Sequence, residues 1–250
     1  MGAVFNLSLP TSWASLSDKQ LLMVYGLFAR DLSASEVKTL CLMKWNKLTV
    51  LAQLRNHKYL VKRNRSEVVL SSSQIQQATS ILDFLDSFPP EPIRLSRIGR
   101  HHALPANFEG VPFEKFLYAD NLYAGFLHTK SENILLQMAQ VLYDCEHIKP
   151  SQAQLVGVFY WFASLKQYFA MLFPHFFQPM SSDNGGNLLG GSSNLFAQLR
   201  DSTNAQIRAL TGGDVTKEEA IKKMDTHRAL TELDAKARES EEYRKQSKSI

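Results

Sequence analysis

Near the start of the chain, apolar residues recur at helical spacing behind two capping signals. Ser17-Asp-Lys-Gln20 offers a hydroxyl to accept from the N3 amide and a Gln to reach back, and Leu21, Leu22, Val24, Tyr25, Leu27 and Phe28 follow. This pattern predicts a helix over about 18–30. Ser33-Ala-Ser-Glu36 repeats the logic, with Val37, Leu40, Cys41 and Trp45 on one side, and predicts a second helix to about Trp45. A third apolar run, Leu48 to Leu54, precedes two β-prone segments around a polar turn between Tyr59 and Leu70, which predicts a hairpin. Three helices and a hairpin are the winged-helix order. After Ser71-Ser-Ser73, the amphipathic set Ile75, Ala78, Ile81, Leu82 and Leu85 ends at Phe88-Pro-Pro90, because proline cannot continue a helix. Residues 1–90 therefore form an N-terminal helical module with a hairpin.

Pro92 to Pro105 lacks helical periodicity and is expected as an ordered loop or edge strand. Helical patterning returns in three blocks, Phe116 to Leu127, Ile134 to Tyr143 and Gln152 to Phe173, which predicts an aromatic-rich helical core over 91–178. Met180 to Ser193 holds a third of all the glycine, so 179–194 is expected as a flexible linker. A charged helical tail over 195–250 follows, broken at Thr211-Gly-Gly213 and restarted by the capping signal Thr216-Lys-Glu-Glu219. Beyond it one long helix carries a narrow stripe of Ala220, Ile221, Met224, Ala229, Leu230 and Leu233. Residues 201–250 hold ten Lys/Arg and ten Asp/Glu, the mixture of a solvated helix, and past Arg238 the loss of apolar residues predicts a frayed end. The fold class expected is mainly α, a multi-helix domain with a small β-hairpin near 58–70 and a tethered C-terminal helix.

At 250 residues, 44% hydrophobic and 21% charged, the composition excludes disorder throughout. Cys41 and Cys145 alone build neither a disulfide framework nor a closed zinc site, which points to a reducing compartment. The start has no basic region followed by a long apolar one, as a signal peptide would. The most apolar stretch, Val156 to Leu165, is about half of the roughly 20 residues a membrane span needs. A soluble protein of the cytoplasm is expected, with no membrane partner.

Candidate chemistry lies in three places. The basic set Arg55, Lys58, Lys62, Arg63 and Arg65 sits on and beside the hairpin, and Lys62, Arg63 and Arg65 are the candidate nucleic-acid contacts. Arg94, Arg97 and Arg100, with His101 and His102 beside them, either grip a partner's carboxylates or phosphates or pair internally with Glu109, Glu114 or Asp120. The rings Phe159, Tyr160, Trp161, Phe162, Tyr168, Phe169, Phe173, Phe176 and Phe177 form either the core or a subunit contact. In Thr211-Gly-Gly-Asp-Val-Thr-Lys217, Asp214 argues for capping against phosphate binding. No nucleophile elbow, His-Glu-x-x-His or phosphate-cradling loop is present, so neither catalysis, a cofactor nor a metal is expected.

Two stretches carry a resemblance: Leu95-Ser-Arg-Ile-Gly-Arg-His-His-Ala-Leu-Pro-Ala-Asn-Phe-Glu-Gly-Val-Pro-Phe-Glu114, and Asn204-Ala-Gln-Ile-Arg-Ala-Leu-Thr-Gly-Gly-Asp-Val-Thr-Lys217 with Thr231-Glu-Leu-Asp-Ala-Lys-Ala-Arg-Glu239. Together they look like a protein family encoded in phage and prophage structural modules, similar in outline to tail assembly chaperones or connector proteins. The resemblance implies virion or tail assembly through contacts with phage structural proteins or with further copies of the chain, in the cytoplasm or inside a particle. On that reading Ile221, Met224 and Leu233 lie in a partner's groove, helped by the Arg94, Arg97 and Arg100 cluster. DNA binding by the first module, as a prophage regulator or packaging accessory, is the alternative.

Overall fold

The computed structural model describes residues 7–30, 32–177 and 192–247; most of the linker read at 179–194 lies outside them. The chain is mainly helical with a small antiparallel sheet and a C-terminal helix, as its patterning predicts. It divides into two compact units, Met1–Pro89 with Ser151–Gly157, and Pro90–Pro150 with Val158–Ile250.

In the first unit, α1 (Asp18–Phe28) and α2 (Ala34–Trp45) begin at the capping boxes of Ser17 with Gln20 and Ser33 with Glu36. Strands β1 (Leu48–Leu54), β2 (Lys58–Arg63) and β3 (Ser66–Ser71) follow, then α3 (Ser72–Ser80), which starts at a further box of Ser71 with Gln74. The run Leu48 to Leu54 is therefore a strand and not the third helix of a winged-helix order. Lys47 enters the left-handed region at φ 53°, which stops the preceding helix, and β1 pairs antiparallel with β2 from Leu48↔Arg63 to Leu54↔Lys58. The core of this unit buries Trp13, Leu21, Val24, Tyr25, Cys41 and Leu42. Trp13 donates its Nε1–H to the Phe84 and Ser87 carbonyls at 2.8 and 3.1 Å, tying the N-terminal segment to the turn after α3. Lys38 reaches Asp83 and Asp86 in that same turn, each at 2.7 Å.

The second unit contains the two-stranded ribbon β4 (Arg97–Ile98) and β5 (His101–His102), then α4 (Phe113–Thr129) and α5 (Glu132–Leu142). Helix α6 (Gln152–Leu172) belongs to it from Val158, and α7 (Ser192–Thr211), α8 (Glu218–Lys222) and α9 (Thr226–Ser247) complete it. Phe108, Phe113, Phe116, Trp161, Phe162 and Phe169 are all fully buried, with Phe116 centred 5.5 Å from Phe169 and Phe108 6.2 Å from Trp161. The rings of α6 thus build the unit's own core. By length and composition α6 could cross a membrane, being longer than the stretch read from the sequence, but its segment Trp161 to Leu165 is buried in this unit.

The tail departs from its expected single helix. Asp214, not Thr216, caps the turn before α8, accepting from the Thr216 amide at 3.0 Å. The helix then breaks at Lys223 to Asp225, because that backbone bonds elsewhere. Met224 O accepts from the Phe113 amide at 2.8 Å, Asp225 accepts from the Gly110 amide at 2.7 Å, and Thr226 donates its amide and its hydroxyl to Val111 O at 2.9 and 2.7 Å. Through these bonds the loop before α4 anchors the start of α9. Where a frayed end was expected beyond Arg238, α9 continues to Ser247.

Candidate nucleic-acid interface

The register of the three strands fixes which side chains share a face, since directly opposed residues in an antiparallel pair project the same way. One face carries Leu48, Val50, Gln53, Tyr59, Val61, Arg63, Ser66, Val68 and Leu70. It is the inner face, with Leu48 and Val61 buried. The other carries three rows across the strands: Leu54, Lys58 and Ser71; Ala52, Leu60 and Val69; Thr49, Lys62 and Glu67. It is the outer face, exposed at Leu54, Val69 and both lysines. A register shift between Val50 and Ala52 marks a bulge at Leu51, which lets the alternation continue correctly on both sides.

The turns are set by residues that tolerate positive φ. Asn64, at 54°, makes a two-residue turn with Arg65 between β2 and β3, and Asn56 and His57, at 60° and 52°, shape the turn after β1. The Ser72 amide and hydroxyl both bond His57 O, at 3.1 and 2.9 Å, pinning that turn to the start of α3. Arg55 therefore stands at the Lys58 end of the sheet, and Arg65 with Lys47 at the Lys62 end.

The charge is concentrated here. Residues 47–71 hold six of the chain's 28 Lys/Arg and one of its 24 Asp/Glu, which leaves 22 against 23 elsewhere, so the net +4 of the protein resides in this segment. Among the described residues no carboxylate closes to an ion pair with Arg55, Lys58, Lys62 or Arg65; Glu67 faces Lys62 in register without reaching it. Proteins commonly place lysines on edge strands to block edge-to-edge association. That does not account for this pattern, because β1 and β3 carry no Lys or Arg and the strand cations all lie on central β2.

Of the three residues singled out from the sequence, Lys62 and Arg65 are exposed, whereas Arg63 lies half-buried on the inner face. Lys58 takes its place as the second outward lysine of β2.

The other sequence candidates fall in the second unit. Ile221 and Leu233 are buried, at 8% and 4% exposure, and Met224 is half-buried, so the stripe assigned to a partner groove is occupied within this unit. Arg94 lies over the Trp161 ring at 5.9 Å, while Arg97 and Arg100 are exposed on the β4–β5 ribbon. Among the described residues none of the three arginines closes an ion pair with Glu109, Glu114 or Asp120, and Asp120 is taken by Lys166 at 2.7 Å. His101 approaches Cys145 Sγ to 3.4 Å, and the described residues contain no group of three metal-ligating side chains.

The fold and this surface define a mainly helical protein that displays a small, cation-bearing antiparallel sheet. Comparison of the chain with protein-family models, curated proteins and solved structures gives no match.

Proposed function

We propose that the chain is a non-enzymatic component of a phage or prophage structural module that contacts nucleic acid through the outer face of the β1–β3 sheet. The observation carrying this reading is the exposed pair Lys58 and Lys62 on the central strand, without carboxylate partners among the described residues and flanked by turn cations. Phosphate backbones are recognised by such displayed cations, and counterion release supplies the affinity. The burial of Ile221 and Leu233 supports seeking the contact on this sheet and not on the tail. The context remains virion or tail assembly, in the host cytoplasm or within a particle.

The test is retention of the full-length protein on immobilised duplex DNA in low salt. Lys58→Ala, Lys62→Ala and Arg65→Ala together should shift elution to markedly lower salt. Elution unchanged by the triple substitution would sink the reading.

A second reading is favoured by the apolar residues on the same sheet, Leu54 at 41% and Val69 at 44% exposure. Here the sheet docks on another structural protein of the module, or on a second copy. Leu54→Ser with Val69→Ser should then abolish co-sedimentation with that partner while leaving DNA retention unchanged.

A further inference from the structure

Resting on that reading, we infer that the outer face is built for the backbone of double-stranded nucleic acid, read without sequence preference, and not for single strands. The first argument is spacing. Lys58 and Lys62 point outward from one strand four residues apart, which places their stems about 13 Å from each other at ordinary strand rise. A B-form major groove is about 12 Å wide, with a phosphate wall on each side. One lysine therefore addresses each wall, and the turns extend both contacts, Arg55 beside Lys58 and Arg65 beside Lys62.

The second argument is what lies between the lysines. The middle row is Ala52, Leu60 and Val69, which offers no donor or acceptor to a base edge. Base discrimination in the major groove rests chiefly on Arg, Lys, Asn, Gln or carboxylate side chains aimed at those edges, and the lysines of this face stand at its two ends, over the phosphate walls. An apolar strip between two cationic ends holds the duplex by its backbone and leaves the sequence unread.

The third argument excludes the single strand as the preferred ligand. Sequence-tolerant single-strand sites stack bases on exposed aromatic rings, commonly on a sheet face. The only Phe, Tyr or Trp among the three strands is Tyr59, and it lies half-buried on the inner face. The outer face has charge for a backbone and no ring for an unstacked base.

The experiment is fluorescence anisotropy of full-length protein against three probes: two 24-base-pair duplexes of unrelated sequence and one 24-nucleotide single strand. With Arg55, Lys58, Lys62 and Arg65 each neutralising one phosphate, duplex affinity should fall about 150-fold between 50 and 200 mM salt. The two duplexes should agree within about threefold and exceed the single strand by about tenfold or more. Lys58→Gln with Lys62→Gln should roughly halve the slope of log affinity against log salt, and Lys58→Arg with Lys62→Arg should retain it. Near-UV circular dichroism checks that each variant is folded. Equal or tighter binding of the single strand overturns this inference and leaves the nucleic-acid reading standing. So does a strong preference for one duplex sequence. Displacement of duplex by polyglutamate at equal charge would make the surface a reader of acidic protein and overturn both, as would the absence of binding to any probe at 50 mM salt.

Discussion

Leu233→Ala distinguishes a tail that belongs to its own unit from one held ready for a partner. Leu233 is 4% exposed on α9, in line with the fully buried Ala229 and Leu230. The start of the same helix is fixed by Thr226 to Val111 and by His227 Nε2 to the Asn107 carbonyl at 2.7 Å, with His227 against the Phe169 ring at 5.3 Å. A leucine truncated in such a packed site loses its transfer free energy and leaves a cavity, a cost of about 3 kcal/mol. For a protein of this size that lowers the melting temperature by about 6–12 °C. The assay is calorimetry of the isolated protein, with near-UV circular dichroism following the rings of the second unit. Were the stripe solvent-facing until a partner arrived, the same substitution would lie within about 0.5 kcal/mol of neutral. A melting temperature lowered by less than about 2 °C would refute the packing argument.

Two further outcomes follow from the first unit and the thiols. Lys38, held by Asp83 and then Asp86, has its pKa raised above the ordinary 10.5. Its contribution is complete below the unfolded value and is lost as pH rises through the raised folded one. The two aspartates are substantially exposed, at 61% and 44%, so Lys38→Met should cost only about 1 kcal/mol at pH 7, and the gap should close in strongly alkaline urea titrations. Cys41 is fully buried, and burial pushes its thiol up to about 12, whereas Cys145 is half-buried beside His101. A chromogenic disulfide reagent at pH 8 should therefore titrate one thiol in the native protein and two in denaturant. Two thiols reacting at similar rates under native conditions would contradict the burial of Cys41.

What could be read from the sequence was what local chemistry decides. Ser17 and Ser33 start helices because their partners Gln20 and Glu36 lie three residues away, and the rings around Phe162 form a core because they occur all round one helix. The run at Leu48 is ambiguous for an equally local reason. Seven residues with apolar side chains on both faces fit a strand or a helix, and only pairing with β2, with a bulge at Leu51, decides between them. The break before α9 depends on bonds from Gly110 and Val111, 115 residues away, which no window of sequence contains. The candidate surface was half visible for the same reason. Its cations could be counted, but the exchange of Arg63 for Lys58 follows from register, and the register needed all three strands.

The sheet itself breaks a rule in a way that bears on function. A central strand is most stable with β-branched or aromatic residues packed against neighbours on both sides. Inner positions of β2 obey this with Tyr59 and Val61, and the outer centre obeys it with Leu60. Lys58 and Lys62 flank Leu60 on that same face, where threonine or valine would suit the strand better, and neither lysine recovers stability through an ion pair among the described residues. Solubility alone would place such cations on the edges, which here carry no Lys or Arg. Positions where local preference is overridden without compensation within the fold mark sites whose purpose lies outside it. The two lysines meet that description on the face with the spacing and charge to meet a polyanion, which makes this sheet, rather than the buried stripe of the tail, the part of the molecule where a ligand should be sought.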